Sequence, residues 1–123
     1  MSIRRLPDAE LEVMQAVWRC APPISRADIG CILAETHPMA ATTVLTLLSR
    51  LVDRGFLTIE KTKRSNCYTP VVSKQDYLAS QSKSFLDKLC GGDVGVFATA
   101  LCDSGLSKED ISELRQLLER GAL

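Results

Sequence analysis

The chain has 123 residues, of which 46% are hydrophobic, and no apolar run approaches the ~20 residues of a membrane span, so one compact domain or two small cooperating units are expected. The five cysteines form no Cys-x-x-Cys pair, and His37 is the single histidine, which argues against a disulfide framework and against a zinc site. We therefore expect a reduced, cytoplasmic protein without a cofactor or a membrane partner. We also expect no secretory signal. The net charge of zero hides a division, because residues 1–74 carry ten basic and seven acidic side chains (net +3) whereas residues 75–123 carry five and eight (net −3). This asymmetry favours a polyanion as the partner of the first half.

Two amphipathic helices are predicted near the N-terminus. Apolar residues three or four apart predict the first helix over residues 8–19, and Pro22-Pro23 ends it. Its apolar stripe consists of Leu11, Met14, Val17 and Trp18. Ser25 and Asp28 have the spacing of a capping box, in which each side chain bonds the backbone N–H of the other residue, and the second helix is predicted to start there and to end before Pro38.

A third helix is predicted from the residues after Pro38 to Arg54. Its inner face is predicted to consist of Val44, Leu47, Leu48 and Leu51. Gly55 suits the left-handed position that ends many helices, and Phe56 is expected to fold back onto the last turn. Most residues of the opposite face are polar, so this helix presents hydroxyl groups and an arginine to its surroundings.

The sequence pattern then changes from a helical to an alternating period. Residues 57–61 and the region around Cys67–Thr69 alternate apolar with polar side chains, with the polar, basic segment Lys63–Asn66 between them. This pattern predicts a β-hairpin, in which Pro70 is tolerated near a strand end. Three helices followed by a hairpin are the order of a winged helix. The predicted fold class is therefore mainly α with an α+β wing, in which residues 1–72 form the winged-helix domain.

The remaining residues, 73–123, predict three short helices. The first begins at a capping box at Ser73 and ends at Gly91-Gly92. The second consists of the almost wholly apolar residues 94–101 and is expected to be buried. The third begins after a capping box at Ser107. Short helices cannot bury their apolar stripes by themselves, so a second copy of the chain is the expected partner and this region the helical dimerisation domain. The predicted dimerisation residues are Leu78, Phe85, Leu89, Val96, Phe97, Leu101, Ile111, Leu114, Leu117 and Leu118.

The third helix and the hairpin carry the strongest indication of function. A helix can read the major groove of DNA if its outer face carries donors and acceptors of suitable length. The candidates for base reading are Thr42, Thr43, Leu45 and Thr46, where threonine supplies a hydroxyl and a methyl group and leucine can contact a thymine methyl. The alternative is a solvated helix face with one marginal leucine.

Basic residues on and around these elements are candidates for contacts with phosphate. The set consists of Arg50, Lys61, Lys63, Arg64, Arg26 and Arg5. Contacts of this kind position a protein on DNA without reading its sequence. The alternative for the hairpin lysines is solubility and protection of a sheet edge.

Catalytic interpretations are weak, so we do not expect an enzyme. His37 lies beside a proline at a turn, and Gly91-Gly92 lacks the lysine and the spacing of a phosphate-binding loop. The five cysteines are expected to be small buried residues. A thiol-based sensor that uses Cys90 or Cys102 is the alternative for two of them.

Several segments match one known family. They are Leu6-Pro-Asp-Ala-Glu-Leu-Glu-Val-Met-Gln-Ala-Val-Trp18, then Thr43-Val44, Leu47-Leu48, Arg50-Leu51 and Gly55-Phe56, and finally Lys83, Phe85, Gly91-Gly92 and Leu106-Ser107-Lys-Glu-Asp-Ile-Ser-Glu-Leu-Arg-Gln-Leu. Over nearly its whole length the chain thus resembles the penicillinase and methicillin-resistance repressors, the BlaI/MecI family with its copper-responsive relatives. The resemblance implies a homodimeric winged-helix repressor of a nearby operon that binds an inverted-repeat operator, often with TACA/TGTA-type half-sites.

The resemblance also implies two ways of release, and the chain departs from both. Some family members are cleaved through a membrane sensor-protease pathway, but their scissile Asn-Phe pair falls here at Thr99-Ala100, which makes this pair the candidate cleavage locus. Copper-responsive relatives use a C-terminal cysteine cluster, whereas Cys102 stands alone. The methicillin repressors carry basic residues where this chain has Thr42 and Leu45, so their operator sequence does not transfer.

The expected function is a dimeric, sequence-specific transcriptional repressor with double-stranded operator DNA as its partner and with an unknown releasing signal. A regulatory sensor protease is a further candidate partner. The alternative is a winged-helix protein–protein adaptor or antirepressor that does not bind DNA, because the threonine-rich third helix is poor in arginine.

Overall fold

The computed structural model describes residues 3–62 and 65–121, which group by their contacts into two compact units, Met1–Gln81 and Ser82–Leu123. The elements are α1 (Asp8–Trp18), β1 (Ile24–Ser25), α2 (Arg26–Thr36), α3 (Ala41–Asp53), β2 (Leu57–Lys61), β3 (Asn66–Pro70), α4 (Lys74–Leu89), α5 (Val94–Asp103) and α6 (Lys108–Glu119). The predicted fold class, mainly α with a small antiparallel wing, is confirmed. Among the described residues no single helix is both long and apolar enough to cross a membrane, and α2 with α3 meet that requirement only as a pair bent by 114°.

The first unit continues beyond residue 72, where the sequence pattern placed the domain boundary. Tyr77, in the first half of α4, is 4% exposed and accepts a hydrogen bond from the backbone N–H of Leu6 at 2.9 Å. Its ring lies 5.7 Å from that of Trp18 and 5.8 Å from that of Phe56. The start of α4 therefore belongs to the core of the first unit, and α4 runs across the boundary.

Serine caps start three of the helices as the sequence predicts. Ser25 accepts from the N–H of Asp28 while the Asp28 carboxylate accepts from the N–H of Ser25, both at 3.1 Å. Ser107 and Asp110 form the same reciprocal pair before α6. At α4 the structure contains one half of the box, a bond of 3.0 Å from the N–H of Asp76 to Ser73 Oγ. Each cap satisfies donors that the first helical turn leaves without a partner.

The sheet has three strands in the order β1-β3-β2, and all its pairs are antiparallel. Tyr68 at the centre of β3 pairs with Ile59 on one side and with Ile24 on the other. The sequence did not predict β1, because a strand of two residues is too short for alternation to become visible. Pro70 is the last residue of β3 and pairs with Leu57, a strand end where its missing N–H is tolerated.

The buried core of the first unit gathers the inner faces of its helices and the sheet. It consists of Leu6, Val13, Met14, Ala16, Val17, Ile24, Ile29, Leu33, Val44, Leu47, Leu48, Leu51, Phe56, Leu57, Tyr68 and Tyr77. Leu11 and Trp18, predicted on the same stripe as Met14, are partly buried at its edge. The Trp18 indole N–H donates to the carbonyl oxygen of Val72 at 2.9 Å, so the polar end of this ring is satisfied.

The prediction of a buried helix over residues 94–101 is wrong for the single chain. No residue of α5 is buried, and Val94 and Val96 are 69% and 48% exposed. Short helices of one chain offer each other too little surface to cover an apolar sequence. Within the second unit, the rings of Phe85 and Phe97 pack with their centres 5.5 Å apart.

Most of the cysteines are not buried, which corrects another expectation. Cys90 is buried, whereas Cys20 and Cys67 are partly exposed and Cys31 and Cys102 are exposed. Cys31 and Cys102 lie on exposed faces of α2 and α5, Cys67 lies in β3, and Cys20 packs at the edge of the core. Burial, followed by the nearby Asp28 carboxylate, raises the pKa of the Cys20 thiol and so disfavours its reactive thiolate form.

Candidate nucleic-acid interface

Helix α3 separates its side chains into a buried and an exposed face, as predicted. Val44, Leu47, Leu48 and Leu51 are at most 5% exposed and anchor the helix in the core. The base-reading candidates Thr42, Thr43, Leu45 and Thr46 are all exposed. The N-cap residue, Ala40, has no side chain that could cap the first turn, so the N–H groups of that turn are free to meet an anion.

The hydroxyl group of Thr46 is already engaged within the helix. It donates to the backbone carbonyl of Thr42 at 3.0 Å. In this rotamer the oxygen can still accept a hydrogen bond, and the methyl group can make an apolar contact. Thr46 is therefore suited to a base edge that donates, such as an amino group of adenine or cytosine, or to a thymine methyl group.

Leu45 lies at a shallow groove between α3 and the hairpin. Together with Ser49 and Val52 from α3, the groove is lined by Ile59, Asn66 and Tyr68 from the strands. Leu45 is 45% exposed and Ile59 is 39% exposed. The interpretation of Leu45 as an apolar residue on the polar face is confirmed, and its contact with thymine stays a prediction.

The hairpin tip is closed by hydrogen bonds between Thr62 and Ser65. The N–H of Thr62 donates to the Ser65 carbonyl at 3.0 Å, and the N–H of Ser65 donates to Thr62 Oγ1 at 3.2 Å. Lys61, at the end of β2, is exposed, whereas Lys63 and Arg64 lie outside the described residues. The sequence interpretation missed the two hydroxyl residues, although serine and threonine beside a turn are a signal for this kind of closure.

The other phosphate candidates belong to separate elements of the first unit. Arg50 lies in the last turn of α3, Arg26 is the first residue of α2, and Arg5 precedes α1. All three are exposed, as a phosphate contact requires. Their roles in binding DNA stay predictions.

A buried ion pair behind α3 was not predicted. Glu10 in α1 is 2% exposed, and its Oε1 accepts from Arg54 Nε at 2.6 Å while its Oε2 accepts from Arg54 Nη2 at 3.4 Å. Arg54 is the C-cap residue of α3. The signal was in the sequence, because Glu10 stands four residues before Met14 and seven before Val17 and so places an acid on the apolar stripe of α1.

The predicted dimerisation residues lie on surfaces that the single chain leaves open. Leu78, Phe85, Leu89, Val96, Leu117 and Leu118 are between 41% and 73% exposed. Phe97, Leu101, Ile111 and Leu114 are partly buried.

The candidate cleavage locus, Thr99 and Ala100, is exposed on α5, and the Thr99 hydroxyl donates to the Gly95 carbonyl at 2.9 Å. Across the described ranges, no group of three or more His, Cys, Asp or Glu side chains could hold a metal ion.

The penicillinase repressor family model matches residues 6–120. The chain belongs to the penicillinase repressor family. The penicillinase repressor of Bacillus licheniformis is 34% identical over 118 residues, which cover 95% of this chain and 91% of that protein. The methicillin resistance regulatory protein MecI of Staphylococcus epidermidis is 28% identical over 119 residues, covering 94% of each chain.

Two solved structures support the assignment to the penicillinase repressor family. The solution structure of the DNA-binding domain of the repressor BlaI is 35% identical, with a TM-score of 0.53, and the match covers 63% of this chain and 94% of that one. The monomeric form of Bacillus licheniformis BlaI in complex with the blaP half-operator is 34% identical, with a TM-score of 0.51, and covers 62% and 92%. The family consists of transcriptional repressors, which confirms the resemblance and the prediction that this chain is not an enzyme.

Proposed function

We propose that this penicillinase-family repressor acts as a homodimer on a pseudo-palindromic operator. The observation that carries the proposal is the exposed, hydroxyl-rich face of α3 directly before the hairpin. A relative with this fold, 34% identical, has been solved in complex with a half-operator. A protein that binds operator DNA is expected to act in the cytoplasm.

The first half of α3 is proposed to enter the major groove. Thr42, Thr43 and Thr46 offer oxygen atoms and methyl groups of short reach, so the helix backbone can approach the bases closely. Leu45 adds an apolar contact on the side of α3 that lines the shallow groove between the helix and the hairpin. A surface made of hydroxyl and methyl groups favours sites rich in thymine methyl groups and amino donors.

The basic residues around α3 are proposed to bind phosphate. Arg50 follows the threonines on the same helix, Lys61 ends strand β2, and Lys63 and Arg64 follow it in the sequence. Arg26 and Arg5 are further phosphate candidates on the same unit. Such contacts would fix the register of α3 on the duplex and would make affinity depend on salt.

A second copy of the chain is proposed to cover the open apolar surface of the second unit. Helices α5 and α6 contain no buried residue in the single chain, although α5 is almost wholly apolar. Covering a large exposed apolar side chain stabilises an association by about 1.5–3 kcal/mol. A two-fold dimer presents two copies of α3, which is why the operator is expected to be a pseudo-palindrome with half-sites one or two helical turns apart.

The family resemblance adds a sensor protease as a candidate partner for release. Its locus, Thr99 and Ala100, is exposed, but both residues are helical and proteases act on chain that opens locally. We expect the bond between them to resist cleavage until α5 unwinds. Limited proteolysis followed by mass spectrometry would test this, and cleavage at this bond in the folded protein would contradict it.

A gel-shift experiment tests the proposed function. The protein is titrated onto DNA from upstream of its own gene, with random DNA as competitor and at several salt concentrations. We expect specific retention that survives excess competitor and weakens with salt. Binding that random DNA removes at equal concentration would instead favour an adaptor that does not read an operator. Sedimentation of the free protein tests the dimer in the same preparation.

A further inference from the structure

Glu10 is the single charged side chain among the buried residues of the described chain. Its two carboxylate oxygens are held by two nitrogens of one arginine, Arg54. The outer part of that arginine is open, with 39% of the side chain exposed, and it lines a cavity together with Arg4, Asp53 and Phe56. The pair thus joins the interior of the winged helix to its surface.

Stability alone is a poor reason for this pair. Taking a carboxylate out of water costs free energy that the attraction to a single arginine roughly offsets, and apolar side chains of similar volume often replace buried pairs without loss. What an ion pair adds is direction, because its hydrogen bonds hold within a narrow range of distance and angle. Apolar contacts do not have this directional preference.

The two residues lie where their hydrogen bonds can constrain the orientation of α3 relative to α1. Glu10 is in the first turn of α1 and Arg54 ends α3, positions at which an acid and a base also complement the helix dipoles. The rest of α3 is held by four apolar side chains on its inner face. The pair is therefore a directional link between α1 and the end of the helix that carries Thr42 to Arg50.

A small rotation of α3 would misplace its exposed side chains. Side-chain tips lie about 5 Å from a helix axis, so a turn of about 20° moves them by about 2 Å. Hydrogen bonds to bases tolerate a spread of only about 0.5 Å in length. The threonine contacts would be lost by such a rotation, whereas long basic side chains could still reach phosphate.

We propose that Glu10 and Arg54 are positioning residues that set the orientation of α3 for base reading. The inference rests on the proposed function, because it assumes that the exposed face of α3 meets an operator. The pair then contributes to the preference for operator over random DNA rather than to binding of DNA in general.

The central test is the double variant Glu10→Leu with Arg54→Met, which removes both charges and leaves the net charge unchanged. Affinities for operator and for random DNA are measured at one salt concentration, together with urea unfolding. We expect the folded double variant to keep its affinity for random DNA while the operator preference falls at least roughly tenfold, the effect of about one lost base contact. A solution structure is expected to show α3 rotated relative to α1.

A conservative pair of variants keeps the proposal testable if the double variant does not fold. Glu10→Gln and Glu12→Gln each remove one negative charge from α1, but only the first weakens the link to Arg54. We expect a lower operator preference for Glu10→Gln and an unchanged preference for Glu12→Gln. Equal effects of the two variants would overturn the proposal.

Two further outcomes would overturn it. Equal losses on operator and random DNA with a smaller salt dependence would mean that Arg54 contacts phosphate itself. An unchanged preference in a stably folded double variant would mean that apolar packing sets the orientation. If the wild-type protein shows no operator preference, the proposed function fails. The role of Glu10 and Arg54 is then tested by the orientation of α3 relative to α1 in the double variant. An α3 that has not rotated in that variant overturns the inference independently of the proposed function.

Discussion

The two units of this repressor differ in how far one chain can complete them. The first unit encloses its apolar side chains around a core that includes Leu48, Leu51 and Ile24 at 0% exposure. The second unit has two helices, α5 and α6, without a buried residue. The spacing of apolar residues shows a stripe on α3 in the first unit and on α6 in the second. An amphipathic stripe thus indicates which face of a helix is apolar. Whether that face is buried depends on how many other elements of the same chain pack against it.

Truncation of a core side chain should separate the two units most clearly. Leu48→Ala is expected to destabilise the first unit by about 3 kcal/mol, since it removes buried methyl groups and leaves a cavity. Leu118→Ala, on an exposed stripe, should change stability only through its effect on association and so depend on protein concentration. Urea unfolding followed by Trp18 fluorescence at two protein concentrations checks both. If the loss of stability in Leu118→Ala were as independent of protein concentration as that in Leu48→Ala, the proposed difference between the two units would be contradicted.

A charge on the exposed stripe of α6 should break the dimer while leaving the first unit intact. Leu117→Glu would bury an unpaired carboxylate, so we expect the dissociation constant of the dimer to rise about 100-fold. The matched control is Gln116→Glu, which adds the same charge one residue away. Sedimentation equilibrium gives the constants. A dimer that tolerates Leu117→Glu as well as the control would place the interface elsewhere.

Removal of the two basic residues predicted between the hairpin strands, Lys63 and Arg64, should weaken DNA binding without changing its sequence specificity. For Lys63→Ala with Arg64→Ala we expect operator and random DNA to lose affinity together, and the slope of log affinity against log salt to fall by about 0.9 per lost phosphate contact. The control, Lys88→Ala with Lys108→Ala, removes the same charge from the second unit. Binding isotherms at four salt concentrations measure the slopes. A full slope in the wing variant would argue that these side chains do not touch DNA.

The smallest expected effect concerns a single hydroxyl group on α3. Thr46→Val keeps the shape and the methyl group but replaces the hydroxyl oxygen, which can accept from a base, with a second methyl group. We expect a loss of about 1 kcal/mol confined to operators with the matching base pair. Competition among operators that differ at one position checks this. A uniform loss across all of them would reassign Thr46 to phosphate or to helix stability, consistent with its bond to the Thr42 carbonyl.

Local signals in the chain predicted much of the first unit because they act over a few residues. The box of Ser25 and Asp28, the left-handed Gly55 with a φ of 83°, and the alternation around the hairpin all have their predicted structures. The exposed threonines of α3 followed from the same helical period that placed Val44 and Leu51 inside. Propensity and capping depend on neighbours in sequence, so they can be read before any folding is known.

Other features depended on partners distant in sequence. Glu10 and Arg54 are 44 residues apart, and no local pattern pairs them. The strand β1 exists because Ile24 finds Tyr68, and Tyr77 joins the first unit because its hydroxyl meets the N–H of Leu6. Sequence spacing could suggest that each residue was unusual, but not which atom it would meet.

The order of residues along the chain was enough to identify the family, the winged-helix order and the polar face of α3. Tertiary structure decided that the first unit reaches to Gln81, that a buried carboxylate holds the end of α3, and that α5 stays uncovered in one chain. The physical reason is one of range. Helical period and caps arise from contacts within a turn or two, whereas burial and ion pairing depend on which surfaces the completed fold brings together.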